Sequence, residues 1–141
     1  MTETRIGDWM QTSSGNRFYP FDPRPDEIHI EDIAAALAKL CRFGGHCREF
    51  YSVAEHSVRV SEYLEWLHAD AASILGPRRL LFLHGLLHDA SEAYLVDLPR
   101  PIKRNETFAN YRITELNLSC RIFERFGLRF DDLPYAVHNA D

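Results

Sequence analysis

Apolar residues recur at helical spacing along most of this 141-residue chain. The first clear example begins at Glu31, after which Ile33, Leu37, Leu40 and Cys41 follow the i, i+4, i+7, i+8 pattern of one helix face. Gly44 and Gly45 then interrupt the pattern. The spacing therefore predicts a first helix from Glu31 that ends before these glycines.

Two further helices are predicted in the middle of the chain. The second begins at Ser52, which forms an S-x-x-E capping box with Glu55, and it runs to about His68. The third begins at Gly76-Pro77 and continues to about Val96, before a segment whose prolines forbid a helix interior. The apolar faces of the two helices contain Val53, His56, Val60, Leu64, Leu80, Leu81, His84, Leu87 and His88.

The last third of the chain predicts two more helices. A fourth runs from about Glu106 to Phe126 and is stopped by Gly127. A fifth begins near Asp132 and reaches Asp141. Because the predicted loops are short, neighbouring helices are expected to be mostly antiparallel.

The first 28 residues follow a different pattern, since Pro20, Pro23 and Pro25 exclude a continuous helix. Gly15-Asn16 predicts a turn beside a short strand at residues 17–19, which together would form a β-hairpin. We expect a single all-α domain over residues 1–141. Residues 1–28 would form an extension that could include the hairpin, and residues 29–141 a core of about five helices.

Composition limits the classes of function. A net charge of −5 argues against general nucleic-acid binding, which requires a basic face. No apolar run approaches the ~20 residues of a membrane span, and the first twenty residues lack the apolar stretch of a signal peptide. Three cysteines without a tight pair are typical of a reduced protein. We expect a cytoplasmic protein that binds neither nucleic acid nor membrane.

Histidines and acids cluster on the third helix. His84 and His88 share a helix face, but Gly85 stands where the H-E-x-x-H motif has Glu, so the pair alone is weak evidence of a metal site. The adjacent His88 and Asp89 are better evidence, because an Asp in so apolar a segment needs a compensating charge that a divalent cation could supply. Glu92 lies on the same side. A charged surface turn is the alternative interpretation.

Two other residues would complete a set of metal ligands. His56 lies on the apolar face of the second helix, where a lone His is usually a core residue, and Asp141 follows an apolar turn. Together with His88 and Asp89 they would provide two imidazoles and two carboxylates. That set suits Mn²⁺, Fe²⁺, Co²⁺, Ni²⁺ or Zn²⁺, and Mg²⁺ less readily.

The order H…HD…D on successive helices resembles the HD-domain superfamily of metal-dependent phosphohydrolases. The local motifs "EHS", "HDASE" and "DLPRPIK" resemble its 5′-deoxynucleotidase branch. The segments "GDWMQT", "FYPFDPRP" and "RFGGHC" resemble a phage and bacterial group that is similar to the enzymes that strip phosphates from dATP. The resemblance covers nearly the whole chain. It implies oligomers in a bacterial cell, or in the host cytoplasm if the chain is phage-encoded.

The resemblance also implies roles for individual residues. It makes His56, His88, Asp89 and Asp141 the metal ligands and Glu92 the acid/base that acts on the attacking water. It places Asp97 at the reaction centre, facing the deoxyribose. The implied substrate contacts are Arg42, Phe43 stacking on the base, and Lys103 on the phosphates. Arg104 is a further candidate for the phosphates, because cations beside a metal site tend to bind anionic oxygens.

Each of these roles has a structural alternative. Glu92 could form an ion pair with an Arg, Asp97 could cap the turn before Pro99, and the basic segment around Lys103 could be a solvated loop. His46, beside two glycines, could contact substrate or only pack within its loop.

We therefore expect a metal-dependent phosphohydrolase acting on 2′-deoxynucleotides, which removes phosphates from dATP or related deoxyadenylates to leave the deoxynucleoside. One alternative is a 5′-deoxynucleotidase acting on deoxynucleoside monophosphates. The others are a non-catalytic nucleotide-binding HD module and a domain stabilised by a structural metal.

Overall fold

A computed structural model describes residues 4–67, 78–129 and 137 of the chain. Helices dominate these residues, as the hydrophobic pattern predicts. Val137 is helical and buried, whereas the rest of the predicted fifth helix lies outside the described residues. The described helices are α1 (Ile30–Leu37), α2 (Val53–Leu67), α3 (Arg78–Leu87), α4 (Glu92–Leu95), α5 (Arg100–Lys103) and α6 (Ala109–Arg125).

The N-terminal hairpin is confirmed. Strand β1 (Met10–Gln11) pairs antiparallel with β2 (Arg17–Phe18), and Met10 lies opposite Phe18. Phe18 is fully buried, and its ring stacks on Tyr94 of α4 with 4.0 Å between ring centroids. The hairpin is thereby fixed to the helical core.

Helix α1 is shorter than its apolar spacing predicts. It ends at Leu37, so Leu40 and Cys41 lie beyond it. The carbonyl of Leu40 accepts the backbone N–H of Val53 at 2.9 Å, and Cys41 forms an isolated antiparallel bridge with Ser52. Leu40 still packs against the core, which explains why it continues the helical pattern without being helical.

Helix α2 has the predicted N-cap. The hydroxyl of Ser52 accepts the backbone N–H of Glu55 at 3.0 Å. The carboxylate of Glu55 forms an ion pair with Arg59, one turn further along, at 2.6 Å. The hydroxyl therefore satisfies one of the first unpaired N–H groups of the helix, while the Glu stabilises the exposed face.

The predicted third helix is in fact divided, and the expectation that it continues to Val96 is wrong. Helix α3 ends at Leu87, and α4 is a separate turn of helix. Between them the backbone forms short turns, with N–H groups of Ala90 and Glu92 donating to carbonyls three residues earlier at 3.0 Å. Such turns keep apolar residues on one side, so the sequence pattern continues through the break.

Helices α2 and α3 approach closely at Gly85. A Cβ atom at this position would lie 2.8 Å from Cδ1 of Leu64 and 3.1 Å from Cα of Ser61. The Ser61 hydroxyl donates to the carbonyl of Phe82 at 3.0 Å, which joins the two helices at the same level. Gly85 therefore permits the helix approach on which the site described below depends.

Helix α6 agrees with its prediction, although its first turn, Glu106–Phe108, is a 3₁₀ helix. The side chain of Asn105 caps that turn by accepting the N–H of Thr107 at 3.0 Å. Gly127, with φ of 70°, lies just beyond the helix end.

None of the helices among the described residues is long and apolar enough to cross a membrane. The main core contains Phe18, Ile28, Ile33, Leu37, Val53, Leu87, Leu118, Ile122 and Phe123.

Candidate metal centre

The side chains of His56, His88 and Asp89 converge on one point. Oδ2 of Asp89 lies 3.1 Å from Nε2 of His88 and 3.5 Å from Nε2 of His56. The three donor atoms all lie within 4.8 Å of one another, and the two imidazole rings are 5.2 Å apart. This group could hold a metal ion.

Different elements position the two histidines. His56 projects from the buried face of α2, and His88 follows the last residue of α3. Nδ1 of His88 lies 2.7 Å from the carbonyl oxygen of Gly85. Because a carbonyl can only accept, Nδ1 carries a proton, and Nε2 is the ring atom that faces Asp89. At 3.1 Å, either a proton on Nε2 or a cation shared by Nε2 and the carboxylate oxygen would satisfy both atoms.

Arg42 binds the same oxygen of Asp89 that faces the two histidines. Its Nη1 donates to Oδ2 of Asp89 at 2.9 Å, and its guanidinium lies 5.1 Å from the centre of the Phe43 ring. Arg42 therefore supplies part of the charge that a half-buried Asp89 requires. It lines the same pocket as the predicted substrate contacts, although its partner in this structure is a predicted metal ligand.

Glu92 is the most buried acid of the site, with 5% of its surface exposed. Burial, together with the negative charges of Asp89 and Asp97, raises the pKa of its carboxyl to about 9, against a partial offset from Lys103 and Arg42. Its Oε2 atom has no hydrogen-bond partner among the described residues. Among the described residues, Glu92 therefore does not form the ion pair with an arginine that is its alternative role.

A pocket of about 580 Å³ opens beside the carboxylates of this cluster. Its volume lies within the range of small-molecule sites. One side is acidic and the other basic, so it suits an anionic ligand held next to a cation. The lining residues are Arg42, Phe43, Asp89, Glu92, Asp97, Leu98, Pro99, Arg100, Pro101, Lys103, Arg104 and Arg112.

Asp97 connects two walls of the pocket. Its Oδ2 accepts the backbone N–H of Phe43 at 3.2 Å. Phe43 has a φ of 59° and Val96 a φ of 64°, a region that side chains rarely adopt. The Tyr111 hydroxyl donates to the carbonyl of Val96 at 2.8 Å and thereby stabilises the unusual backbone that precedes Asp97. Asp97 thus fixes a loop and also lines the pocket.

The cations of the basic segment, Arg100, Lys103 and Arg104, differ in whether an acidic side chain already pairs with them. Nζ of Lys103 lies 2.5 Å from Oε1 of Glu115, so an acid on α6 already balances much of its charge. Arg100 and Arg104 are exposed at the pocket wall, and neither forms a side-chain ion pair in the described part of the chain. The two arginines are therefore better placed than Lys103 to meet an added anion.

Arg112 is a lining residue that the sequence does not indicate. It lies on α6, where its spacing is that of an ordinary amphipathic helix. Its Nη1 donates to the backbone carbonyls of Lys103 and Asn105 at 2.7 and 2.8 Å. Arg112 therefore holds the end of α5 in place, a role that depends on how α6 packs and has no local signature.

The sequence also singles out His46, His84 and Asp141. His46 is exposed and is not among the lining residues of the pocket. His84 is a core residue, with Nδ1 2.7 Å from the carbonyl of Leu80 and its ring edge-on to Phe123. Asp141, the predicted fourth ligand, lies outside the described residues.

Comparison with known proteins finds relatives but no family model that matches. The chain is similar to the uncharacterized protein YfdR of Escherichia coli, with 38% identity over 120 residues. It is also similar to an uncharacterized protein of Rhodobacter capsulatus, with 39% identity over 122 residues. Each match covers 85% of this chain and 59% of the relative. The chain thus spans about 59% of the length of the curated relatives that it matches.

Proposed function

We propose that this chain is a metal-dependent phosphohydrolase of the HD-domain superfamily that acts on 2′-deoxynucleotides. The observation that carries the proposal is the convergence of His56, His88 and Asp89 beside the buried carboxyl of Glu92. The H…HD order and the motifs around it support the same reading. The substrates we propose are dATP and related deoxyadenylates, converted to the deoxynucleoside.

The residues present suit a divalent transition metal. Two imidazole nitrogens and one carboxylate oxygen form a mixed N/O donor set of the kind that Mn²⁺, Fe²⁺, Co²⁺ and Zn²⁺ accept. The contact of Nε2 of His88 with Asp89 is one in which a cation can take the place of a proton. Such an ion supplies Lewis-acid polarisation of a phosphoryl oxygen when bound. We propose Asp141 as a further ligand.

Glu92 is the proposed acid/base. It lines the pocket on the same side as Asp89, where a water can be aligned with the phosphorus atom. Because its pKa is raised to about 9, Glu92 carries a proton at neutral pH until a nearby positive charge, such as a bound cation, lowers that pKa. The carboxylate form then accepts the proton of the attacking water and can later return it to the leaving oxygen of the deoxyribose. Burial excludes competing solvent from this carboxyl, which keeps its proton exchange directed at the pocket.

The remaining walls are assigned to the other parts of the nucleotide. Phe43, half-exposed at the pocket, offers a ring on which a base can stack. Asp97, fixed through its bond to the Phe43 N–H, is placed to accept a hydrogen bond from the sugar hydroxyl. Arg100 and Arg104, with Lys103 behind them, offer charge-assisted hydrogen bonds to phosphate oxygens.

One observation favours a second candidate, a nucleotide-binding module without catalysis. Arg42 donates to the same oxygen of Asp89 that the histidines face, so an ion pair can replace a cation at that oxygen. A binding module would use the pocket and its arginines, and it would not need Glu92 to exchange protons.

Phosphate release distinguishes the two candidates. The purified chain should be tested with dATP, dAMP and AMP in Mn²⁺, alongside His88→Ala and Glu92→Gln. Glu92→Gln should retain metal and lose roughly 10²–10⁴ in turnover, the usual range for acid–base assistance. His88→Ala should lose both metal and turnover, whereas the exposed His46→Ala serves as the matched control and should keep both. Nucleotide binding without phosphate release from any of the three would favour the binding module.

A further inference from the structure

Two cysteines lie at the ends of the loop that carries Arg42 and Phe43. Sγ of Cys41 is 3.3 Å from Sγ of Cys47, and both residues are half-buried. The loop is closed at its base, where the N–H of Arg42 donates to the carbonyl of Tyr51 at 2.8 Å. We propose that Cys41 and Cys47 form a reversible disulfide that constrains this wall of the pocket. The inference does not depend on the proposed enzymatic activity.

The backbone brings the two thiols together through a tight turn. Phe43, Gly44 and Gly45 have φ values of 59°, 61° and 85°, and this run of positive angles reverses the chain between the cysteines. A disulfide requires the sulfur atoms to approach by about 1.2 Å, to the ~2.05 Å of an S–S bond. A turn with two glycines can absorb such a movement. Cys120, the third cysteine, is exposed on α6.

The reaction is balanced with glutathione disulfide as the oxidant. The thiolate of Cys41 or Cys47 attacks one sulfur of glutathione disulfide, which forms a mixed disulfide and releases one glutathione thiolate. The second protein thiolate attacks the protein sulfur of that mixed disulfide, and the second glutathione thiolate leaves. Two protein thiols lose two electrons, one glutathione disulfide becomes two glutathiones, and the two thiol protons pass to the released thiolates.

The thiol of Cys41 influences the ionisation of Cys47. The hydrogen bond with the Cys41 thiol, followed by burial, raises the pKa of Cys47. Since the thiolate is the attacking species, oxidation through Cys47 should become faster as the pH rises.

The disulfide would act on the pocket loop directly, because the ring that it closes contains Arg42 and Phe43. The N–H of His46 donates to the carbonyl of Phe43 at 3.2 Å, and the N–H of Cys47 to that of Gly45 at 2.9 Å. A covalent link between the loop ends opposes the opening that breaks these bonds. Exchange of these two amide protons should therefore slow in the oxidised chain.

Trypsin offers a direct test, because it cuts after Lys39, Arg42 and Arg48 and so separates the two cysteines. The full chain is equilibrated in oxidised or reduced glutathione, its remaining thiols are alkylated, and it is digested without reduction. Peptide 40–42 should be linked to peptide 43–48 after oxidation, whereas the exposed Cys120 should carry at most a glutathione adduct. Reduction should restore all three titratable thiols.

A Cys120→Ser chain is the control, since it should form the same linked peptide and lose every titratable thiol on oxidation. Persistent glutathione adducts at Cys41 or Cys47, or linkage of either to Cys120, would overturn the assignment. Unchanged hydrogen exchange at the His46 and Cys47 amides in the linked chain would show that the disulfide does not constrain the loop. Cys47→Ala should show no difference in exchange between the two buffers.

Discussion

Gly85→Ala tests whether the close approach of α2 and α3 creates the candidate metal centre. The added methyl group would meet Cδ1 of Leu64 at 2.8 Å and Cα of Ser61 at 3.1 Å. The Leu side chain can shift, but the backbone of Ser61 can give way only if the two helices separate. Because His56 and the segment that leads to His88 belong to these two helices, the separation should reach the metal ligands.

Two effects of opposite sign determine the change in stability. Ala is a better helix former than Gly by roughly 0.5–1 kcal/mol. Overpacking a buried contact costs about 1–3 kcal/mol. The free energy of unfolding should therefore fall by about 1 kcal/mol, which corresponds to a decrease of about 4 °C in Tm for a chain of this size.

The metal affinity should be affected more strongly than the free energy of unfolding. Ligand atoms that lie within 4.8 Å of one another, with Nδ1 of His88 bonded to the carbonyl of residue 85 itself, would have to move apart. Displacing an oriented ligand of this kind lowers metal affinity by roughly tenfold or more. The assay is Mn²⁺ titration of Gly85→Ala and of the unaltered chain, followed by calorimetry and by the rise in Tm with Mn²⁺ concentration.

Leu64→Val provides a matched partner, because it removes the Cδ1 atom that the new methyl group meets. The double variant should be more stable than the sum of the single effects by at least about 0.5 kcal/mol. If Gly85→Ala raised the free energy of unfolding and left the Mn²⁺ affinity unchanged, the claim that Gly85 sets the helix approach and the ligand geometry would be refuted.

Three further predictions concern the pocket rim and the hairpin. Arg104→Ala should lower kcat/KM for dATP by about tenfold while affecting dAMP less, since one charge-assisted hydrogen bond contributes ~1.5 kcal/mol; equal losses would favour a 5′-deoxynucleotidase. Lys103→Ala should have a smaller effect than Arg104→Ala in the same assay, because Glu115 already balances that charge. Burial raises the pKa of Asp32, but hydrogen bonds from the N–H and hydroxyl of Ser14, at 2.6 and 2.7 Å, outweigh it and lower the pKa below the value of about 3.9 that an Asp has in an unfolded chain. Asp32 therefore stabilises the fold above that pH and loses its contribution as the pH falls through the folded pKa. Ser14→Ala should therefore make the free energy of unfolding decline less steeply as the pH falls. An unchanged slope of unfolding free energy against pH, measured by urea titration at each pH, would contradict this.

Local periodicity was sufficient to predict the helical class and the main elements. The apolar spacing in α2 and α6 and the turn residues of the hairpin depend on neighbours a few positions away, which the sequence displays directly. The adjacent His88 and Asp89 also indicated a metal site, because an acid in an apolar segment needs a partner, whereas His56 joined that site as a candidate through its helix face and the H…HD…D order. Asp141, predicted from the same pattern, remains a prediction.

Tertiary packing decided what periodicity could not. A turn at Ala90 continues the apolar pattern without continuing the helix, so the break between α3 and α4 has no signature in hydrophobicity. The same is true of the ion pairs of Arg42 with Asp89 and of Lys103 with Glu115, which join residues 47 and 12 positions apart. Charged residues show in a sequence what they can bind, but their actual partner depends on which helices dock and on how closely a residue such as Gly85 lets them approach.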